Sequence, residues 1–365
     1  MSLTDVLLVL AGLAVLIAGG ESLVRGASTL ASKLGISNLV IGLVVVSAAT
    51  SAPELAVTLG AVLGGEPGLA VGNVVGSNIV NILFILGLSA IFLPLLIQRQ
   101  VVRFDMPVML SMALALLFFS FDGEISQIEG VLLFAGLLFH TIASIRIGRK
   151  EVVTENITPA QPALNAKPVK LWLALILLVV GIGALALGAQ LLVTGAVNIA
   201  TSLGISGLVI GLTVVAIGTS LPELATSIIA IRRGERDMAV GNIVGSNIFN
   251  IGMVLGLPAI LFAEGIPIPP AAIAVDLPLM VAASLALVPI AFTGFSIARW
   301  EGGLFVGLYA AYITFVILDS TGHDAATGFT AVMLWFVMPL IAATIVALTI
   351  FEIRLIRNRK KSNPD

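Results

Sequence analysis

The sequence Thr-Ser-x-Pro-Glu occurs twice inside long apolar segments, at residues 50–54 and 219–223. In an α-helix, side chains three and four positions apart lie on one face, so the threonine, serine and glutamate oxygens of each copy are predicted to lie together. Ionisable side chains are expensive at membrane depth and usually line an ion pathway or face the interior of a helix bundle. We therefore predict that both copies bind a cation. The side chains concerned are those of Thr50, Ser51, Glu54, Thr219, Ser220 and Glu223.

The proline in each copy, Pro53 or Pro222, is predicted to add backbone oxygens to these side chains. Proline has no N–H group and its ring displaces the carbonyl four positions earlier, so two carbonyls before each proline lose their normal helical partners. Free carbonyls at membrane depth need protein or a polar cavity to satisfy them, and a bound cation would do so. The carbonyls predicted to be free are those of Ala49, Thr50, Gly218 and Thr219.

A second motif, Gly-Asn-x-x-Gly-Ser-Asn-Ile-x-Asn, occupies residues 72–81 and 241–250. Its Asn and Ser side chains at four-residue spacing form a polar stripe along a helix, and its glycines let neighbouring helices approach closely. Interhelical hydrogen bonding is the alternative role for these side chains, above all for Asn73 and Asn242. The stripe residues are Asn73, Ser77 and Asn81 in the first copy and Asn242, Ser246 and Asn250 in the second.

Together these oxygens suit calcium, which takes about six to eight oxygen ligands including carboxylates. Glu54 and Glu223 would balance the charge of one divalent ion, and the same oxygens could hold singly charged ions at separate positions. The alternative is that the two glutamates are buried, protonated acids with a structural role. The sequence has no Cys and only His140 and His323, which excludes thiolate and His-rich zinc sites.

Both motifs belong to a duplicated segment in a very apolar chain. Residues 39–91 and 208–260 align without a gap at an offset of 169 positions (208 − 39), and 32 of the 53 aligned pairs are identical. Of the 365 residues, 59% are hydrophobic and 10% are charged, against about a quarter charged in soluble domains. The composition predicts an integral membrane protein. The net charge of -2 argues against a nucleic-acid partner.

Apolar runs of about 20 residues, the length that crosses a bilayer, predict an all-α membrane protein with eleven transmembrane helices. The first ten form two repeats of five, because Asp105 and Glu129 have counterparts in Asp276 and Glu301 at similar offsets. An odd number of crossings per repeat gives the second repeat an inverted topology. The predicted helices span residues 4–30, 37–63, 69–97, 104–121, 128–146, 171–200, 206–231, 238–262, 272–293, 300–318 and 329–353.

The predicted organisation is a five-helix repeat at 1–146, a cytoplasmic linker at 147–170, an inverted five-helix repeat at 171–318, an additional transmembrane helix at 329–353 and a basic cytoplasmic tail at 354–365. With the N-terminus outside, all 18 Lys and Arg residues fall at cytoplasmic helix ends or in cytoplasmic loops, as the positive-inside rule requires. We therefore predict a multi-pass protein of the cytoplasmic membrane with a cytoplasmic C-terminus. A monomer is compatible with the sequence.

The sequence also predicts structural roles for several charged residues near helix ends. Asp105 and Asp276 precede prolines, where N-cap residues are common. Glu21 precedes Arg25 by four residues, which is typical of an ion pair along one helix face. His140 is expected to be an isolated helix residue.

The paired motifs, which read GLTVVAIGTSLPEL and GNIVGSNIFN in the second repeat, resemble the alpha-repeats of the cation/calcium antiporter superfamily. They are most similar to those of prokaryotic sodium/calcium exchangers, and the resemblance covers the first ten helices. It implies that Glu54 and Glu223 are the central calcium ligands, shared with sodium. The other positions that match the family's site are the neighbouring ligands Thr50, Ser51, Thr219 and Ser220, the outer sodium ligands Ser77 and Ser246, and the central polar pair Asn81 and Asn250.

The resemblance favours a secondary antiporter that exchanges Ca²⁺ for Na⁺ by alternating access, with no cofactor. A Ca²⁺/H⁺ or other cation/H⁺ antiporter is the alternative, although proton-coupled members usually place the acidic residue in a Gly-Asn-x-x-Glu context. A cation channel is an alternative of another class, but the sequence contains no visible selectivity-filter loop. An enzyme is not expected, because neither Ser51 nor Ser220 has a basic residue in its motif to activate it.

Overall fold

The computed structural model describes residues 2–154, 170–204, 216–292, 294–323 and 325–333. It also describes the single positions Val214, Trp335, Pro339, Val346 and Ile350. The described chain is mostly helical, as the apolar runs predict. Its helices are α1 (Leu3–Leu34), α2 (Asn38–Leu63), α3 (Pro67–Phe92), α4 (Val101–Asp122), α5 (Gln127–Thr154), α6 (Leu171–Ser202), α7 (Ala216–Thr219 and Leu221–Arg232), α8 (Arg236–Leu261), α9 (Ala272–Phe292), α10 (Arg299–Ser320) and α11 (Ala325–Val332).

Nine of the described helices are long and apolar enough to cross a membrane, namely all except α7 and α11. They confirm a multi-pass membrane protein. The predicted seventh helix, 206–231, begins outside the described residues, which resume at Val214 and then at 216. The predicted eleventh helix, 329–353, overlaps α11 and otherwise falls almost wholly outside the described chain.

The predicted linker, 147–170, begins within a helix rather than after one. Helix α5 continues to Thr154, so the first residues of this segment extend the fifth helix beyond the bilayer-length run that the sequence indicates. Residues 155–169 and the predicted basic tail at 354–365 are outside the described chain.

Helices α3 and α8, which carry the Asn and Ser stripes, form the centre of the molecule. Within their apolar spans, 78% and 83% of the residues are buried, against 22% in each of α1 and α10. Polar side chains on these two helices are therefore shielded from lipid on nearly every side. This placement matters for the site, because central helices can bring polar groups from both halves of the chain together.

The two halves are joined by short antiparallel strands between loops. Strand β1 (Leu95–Leu96) pairs with β4 (Ser296–Ile297), and β2 (Glu124–Ile125) pairs with β3 (Ile266–Pro267). Each ladder connects a loop beside α4 to a loop beside α9, and each is extended by one more backbone hydrogen bond of 2.8 Å. The sequence did not predict these four short strands, because two residues per strand are too few to leave a period in the sequence.

Helices α1 and α6 run antiparallel and pack backbone against backbone. A Cβ atom on Gly12 would lie 2.5 Å from the backbone nitrogen of Leu192, and one on Gly188 would lie 2.6 Å from that of Leu16. Only glycine permits so close an approach, as in other membrane helix pairs lined with small residues. The pair lies against the rest of the bundle through contacts of α1 with α2 and α7.

Asp105 and Asp276 are not helix caps, and His140 is a helix residue as expected but is not isolated. Helix α4 begins at Val101, four residues before Asp105, so this carboxylate lies inside the helix instead of capping it. The Asp105 carboxylate is fully buried and accepts hydrogen bonds from His140 Nε2 at 2.8 Å and Ser144 Oγ at 2.7 Å. Asp276 accepts one from Tyr312 at 2.9 Å. Both aspartates therefore join helices within one repeat.

Glu21 also has a different partner from the one predicted. Its carboxylate forms an ion pair with Arg233, which follows α7, rather than with Arg25 on its own helix. Arg233 donates from Nε at 2.9 Å and from a second guanidinium nitrogen. The ion pair thus connects α1 to the loop before α8.

Candidate cation-binding site

The helix carrying each Thr-Ser-x-Pro-Glu motif is interrupted at the serine. In α2 the backbone of Ser51 has φ -81° and ψ 0°, and a new helical segment begins at Ala52 with Pro53 as its second residue. In α7 the backbone of Ser220 has φ -91° and ψ 8°, and the next segment begins at Leu221. Proline is favoured in the first turn of a helix because no intrahelical donor is needed there. Each proline therefore lies in the first turn after a break in its helix, and the continuous helices predicted for 37–63 and 206–231 did not include these breaks.

The two glutamates lie beyond these interruptions, and both side chains are fully buried. The Glu54 carboxyl lies close enough to Glu223 for their charges to interact. The hydroxyls of Thr50, Ser51 and Ser246 also lie near the Glu223 carboxyl. Carboxylates from both repeats therefore lie near each other, and hydroxyls from both repeats lie near the Glu223 carboxyl.

Most of the predicted side-chain ligands carry buried oxygen atoms that make no hydrogen bond within the described chain. A buried polar atom without a partner costs about 1–3 kcal/mol, so a concentration of them points to a ligand. The atoms are both carboxylate oxygens of Glu54 and of Glu223, the hydroxyls of Ser51, Ser77 and Ser220, and the amide oxygens of Asn81 and Asn250. They form an oxygen-rich donor set with two acidic groups, which suits a hard cation.

The remaining residues of the predicted site are hydrogen-bonded, buried or half-buried. Thr50 Oγ1 donates to the amide oxygen of Asn242 at 3.2 Å and lies 3.3 Å from the hydroxyl of Ser246. Ala49 and Gly218, whose carbonyls are predicted to be free, are buried one turn before the prolines. Thr219 is half-buried at the corresponding position of α7.

Asn73 and Asn242 hold the glutamate-bearing helices by equivalent contacts. The amide nitrogen of Asn73 donates to the backbone oxygen of Glu54 at 3.1 Å and to Thr58 Oγ1 at 3.0 Å. That of Asn242 donates to the backbone oxygen of Glu223 at 3.4 Å and to Ser227 Oγ at 3.2 Å. These bonds are those of positioning residues that fix the two glutamate backbones.

The asparagines at the far end of each stripe form bonds between the repeats. Asn81 donates to the amide oxygen of Asn247 at 3.1 Å, and Asn250 donates to that of Asn78 at 3.4 Å. The amide oxygens of the two donors, Asn81 and Asn250, accept no hydrogen bond within the described chain. Asn78 and Asn247 in turn donate to methionine sulfurs of the opposite repeat, at Met280 and Met109.

Close contact of α2 with α8 brings Thr50 to Asn242 and Ser246. A Cβ atom on Gly241 would lie 2.6 Å from the carbonyl oxygen of Leu39, and one on Gly245 would overlap that of Leu43. The expected role of these two glycines is therefore confirmed. Gly72 and Gly76 are their counterparts on α3, and the matching segment of the seventh helix is outside the described residues.

Sequence reasoning missed four positions that orient the site. Asn78 and Asn247 set the direction of the Asn81 and Asn250 amides, and Thr58 and Ser227 anchor the other two asparagines. A signal was available in the duplication, because each of these residues aligns with a polar counterpart 169 positions away. Within the described residues, no group of three or more His, Cys, Asp or Glu side chains could hold a metal, so any ion site must depend on neutral oxygens as well.

Comparison with known proteins places this arrangement in a family. The family model described as sodium/calcium exchanger protein matches residues 4–146 and 173–318. The chain is 41% identical over 285 residues to the putative antiporter CaxA of Alkalimonas amylolytica, covering 78% of this chain and 89% of that protein. It is 33% identical over 346 residues to the sodium/calcium exchanger MaX1 of Methanosarcina acetivorans, covering 86% and 98% respectively.

A solved structure has a similar fold. The sodium-calcium exchanger NCX_Mj matches with a TM-score of 0.73 at 33% sequence identity, over 86% of this chain and 99% of that chain. Its structures were obtained after soaking with different combinations of Na⁺, Ca²⁺ and Sr²⁺. The similarity therefore extends over the whole of that exchanger.

Proposed function

Since the chain belongs to the sodium/calcium exchanger protein family, we propose that it exchanges Ca²⁺ for Na⁺ across a membrane by alternating access. Its relatives are named as exchangers and antiporters, which supports cation antiport of calcium as the general activity. Sodium as the counter-ion is the more specific part of the proposal. Its partners are then the lipid bilayer around it and the two ions that it binds and transports.

The observation that carries the proposal is the set of unpartnered buried oxygens shared by the two repeats. Two carboxylates supply two negative charges, which one Ca²⁺ balances. Na⁺ ions, which carry one charge each, can instead bind at separate positions among the same oxygens. Competition of the two kinds of ion for Glu54 and Glu223 would couple their fluxes, because both kinds cannot use the carboxylates at once.

In this proposal the central Ca²⁺ ligands are the Glu54 and Glu223 carboxylates with their neighbouring oxygens, and outer Na⁺ positions use Ser77 and Ser246. Asn81 and Asn250 form the central polar pair, with their amide oxygens buried and available to an ion. The neighbouring oxygens are the hydroxyls of Thr50, Ser51, Thr219 and Ser220 and the carbonyls of Ala49 and Gly218.

The proposed topology has two inverted repeats of five helices, at 1–146 and 171–318, joined by a cytoplasmic linker. The antiparallel packing of α1 with its repeat counterpart α6 supports the inversion. The strand pairs support it too, since a loop preceding α4 pairs with one following α9, and the reverse. We further propose that the N-terminus is outside and that the additional helix at 329–353 leads to a cytoplasmic tail.

Flux through reconstituted protein tests the proposal. Proteoliposomes loaded with Na⁺ are expected to take up ⁴⁵Ca²⁺ only while an outward Na⁺ gradient exists. Glu54→Gln and Glu223→Gln each remove one charge from the site and are expected to abolish uptake. Glu66→Gln is the matched control, because Glu66 is exposed in the loop between α2 and α3 and is expected to leave uptake unchanged.

The same preparation separates the alternatives. Uptake driven equally well by a pH gradient without Na⁺ would make the protein a proton antiporter. Uptake retained by both glutamine variants would remove the assigned site. Thermal unfolding provides an independent check: Ca²⁺ at 100 times its dissociation constant stabilises a single site by about 2.7 kcal/mol. Neither glutamine variant is expected to show this stabilisation, whereas Glu66→Gln is.

A further inference from the structure

Two buried methionines lie one layer behind the asparagines of the cation site. The sulfur of Met280 lies 3.5 Å from the amide nitrogen of Asn78, and the sulfur of Met109 lies 3.6 Å from that of Asn247. Both methionine side chains are fully buried. Each contact crosses between the repeats, because α9 packs against α3 and α4 packs against α8. The two sulfurs are therefore placed to act on the site from outside it.

Each sulfur begins a chain of hydrogen bonds that ends at an ion-binding oxygen. The amide oxygen of Asn78 accepts from Asn250 at 3.4 Å, and that of Asn247 accepts from Asn81 at 3.1 Å. The amide oxygens of Asn250 and Asn81 are buried and accept no hydrogen bond within the described chain. Each chain thus runs from a sulfur through two amides to an oxygen of the candidate site.

The sulfur determines the direction of the whole chain. A thioether sulfur can accept a hydrogen bond but has no hydrogen to donate. The NH₂ end of Asn78 must therefore face Met280, which turns the Asn78 oxygen towards Asn250. That oxygen bonds an NH₂ group, so the oxygen of Asn250 is left for an ion. If the Asn78 amide were reversed, its NH₂ group would draw the Asn250 oxygen away and leave an NH₂ group, which repels cations, in its place.

The duplication separates these two methionines from their neighbours. The three methionines of α4 are Met106, Met109 and Met112, and their counterparts at an offset of 171 (276 − 105) are Leu277, Met280 and Ala283. All three positions of α4 are buried, so burial alone does not require methionine there. Methionine is common to the two repeats at the position where its sulfur contacts an amide. A packing role for a flexible apolar side chain does not explain that restriction.

We propose that Met109 and Met280 are positioning residues of the cation site, whose sulfurs fix the amide directions so that Asn81 and Asn250 both present oxygen to the bound ion. This inference rests on the proposed function, because it concerns how the same site holds its ion. The methionines act through the intervening asparagines and are not ligands. Without a sulfur, both amide directions become populated, and only the molecules with oxygen towards the ion bind it at full affinity.

Replacement by leucine tests the proposal, because it keeps a buried apolar side chain of similar volume and removes the acceptor. The Ca²⁺ dissociation constant, measured from thermal unfolding at increasing Ca²⁺, is expected to rise about two- to tenfold in Met280→Leu, the range for loss of one hydrogen bond. Met109→Leu is expected to show a similar rise. The two increases are expected to multiply in the double variant, because they concern different amides.

Met106→Leu is the matched control. Met106 is fully buried on the same helix as Met109, and its counterpart in the second repeat is already a leucine, Leu277. The Ca²⁺ dissociation constant of this variant is expected to equal that of the unmodified chain. A rise equal to that of Met109→Leu would overturn the proposal, because it would show a general effect of buried methionine.

A double-mutant cycle separates positioning from packing. Asn78→Ala removes the amide through which Met280 acts, so Met280→Leu is expected to cause no further rise in the Ca²⁺ dissociation constant in that background. Norleucine provides a second test, because it replaces the sulfur of every methionine by a methylene group and keeps the shape of the side chain. It is expected to weaken Ca²⁺ binding by the unmodified chain and to have no effect on the Met109→Leu, Met280→Leu double variant.

Unchanged Ca²⁺ dissociation constants in both single leucine variants would overturn the proposal, as would full additivity in the cycle with Asn78→Ala. The thermal midpoint without ions reports the fold separately, and a lower midpoint with an unchanged dissociation constant would show a packing role and also overturn it. Failure of Ca²⁺ and Na⁺ to stabilise the unmodified chain would instead overturn the proposed function. The two failures are therefore distinguished by the unmodified chain alone.

Discussion

Packing of α1 against α6 leads to a stability prediction whose sign is set by geometry. Glycines recur every seven residues on both helices and face the partner's backbone. They are Gly12, Gly19 and Gly26 on α1, and Gly181, Gly188 and Gly195 on α6. The test is Gly188→Ala, near the middle of the contact, where the helices have the least freedom to move apart.

The expected magnitude follows from the space around Gly188. Its added Cβ would lie 2.6 Å from the nitrogen of Leu16 and 2.9 Å from the carbonyl oxygen of Gly12. Ordinary contacts begin at 3.4 Å, so the helices must separate locally by 0.8 Å (3.4 − 2.6). The obstructing atoms are backbone and cannot rotate away. Overpacking of this kind costs about 1–3 kcal/mol, so Gly188→Ala is expected to destabilise the protein by that amount.

Gly183→Ala is the control on the same helix. Gly183 is exposed, and no described atom lies within 4 Å of its Cβ position. Replacing glycine by alanine in a helix interior is favourable by about 0.5–1 kcal/mol when space allows, so this variant is expected to be neutral or more stable. Thermal and denaturant unfolding in detergent measure both. Equal stability of Gly188→Ala and Gly183→Ala would refute the backbone-contact reasoning.

Three further predictions concern polar contacts. Asn242→Ala is expected to lower the free energy of unfolding by about 1–3 kcal/mol and to weaken Ca²⁺-dependent stabilisation, because Asn242 is fully buried and its removal leaves several partners without a hydrogen bond. Asn73→Ala, at a half-buried position, is expected to lower it less. The reverse order in thermal unfolding would contradict this prediction. Burial raises the pKa of the Glu235 carboxyl, so its stability contribution is present below its unfolded pKa and is lost as pH rises through the folded pKa. The thermal midpoint of the unmodified protein is therefore expected to fall relative to Glu235→Gln with rising pH, and a constant difference would be the opposing result. Glu21→Gln breaks a partly exposed ion pair with Arg233 and is expected to cost less than about 1 kcal/mol in the same assay.

The sequence predicted the elements that position the site because their signals are local. An apolar run of bilayer length predicts a helix whatever it packs against. A proline within such a run predicts displaced carbonyls in the preceding turn, and the structure breaks the two helices in that turn, at Ser51 and Ser220. The four-residue spacing of Asn73, Ser77 and Asn81 predicts a common face, although not which helix that face meets.

Partner choice could not be predicted, because it depends on where helices meet. Asp105 precedes a proline and has the local pattern of a cap, yet its carboxylate bonds His140 thirty-five residues later. Glu21 has a suitable cation one helical turn away but pairs with Arg233 from the other half of the chain. The end of helix α5 was also not predicted. The helix continues past its apolar run because polar residues extend a helix where no local signal ends it.

Two contacts that stay within one repeat use different residues in the two halves. Asp105 pairs with His140, but the equivalent Asp276 pairs with Tyr312, the counterpart of His140 at an offset of 172 (312 − 140). Thr58 and its counterpart Ser227 also differ, and each anchors an asparagine of its own repeat. A substitution in such a pair affects one half only, so each half can tolerate a different solution.

Contacts that cross between the repeats have the opposite property. The two bonds use the same two aligned positions of the repeats: Asn81 and Asn250 are the donors, and Asn247 and Asn78 are the acceptors. Either stripe therefore has to satisfy both roles, and all four positions are asparagine. The asparagine–methionine contacts cross in the same way, and both sulfurs come from methionine at equivalent positions of α4 and α9. Identity between the halves thus marks the residues that bond to each other across the two repeats at the candidate site.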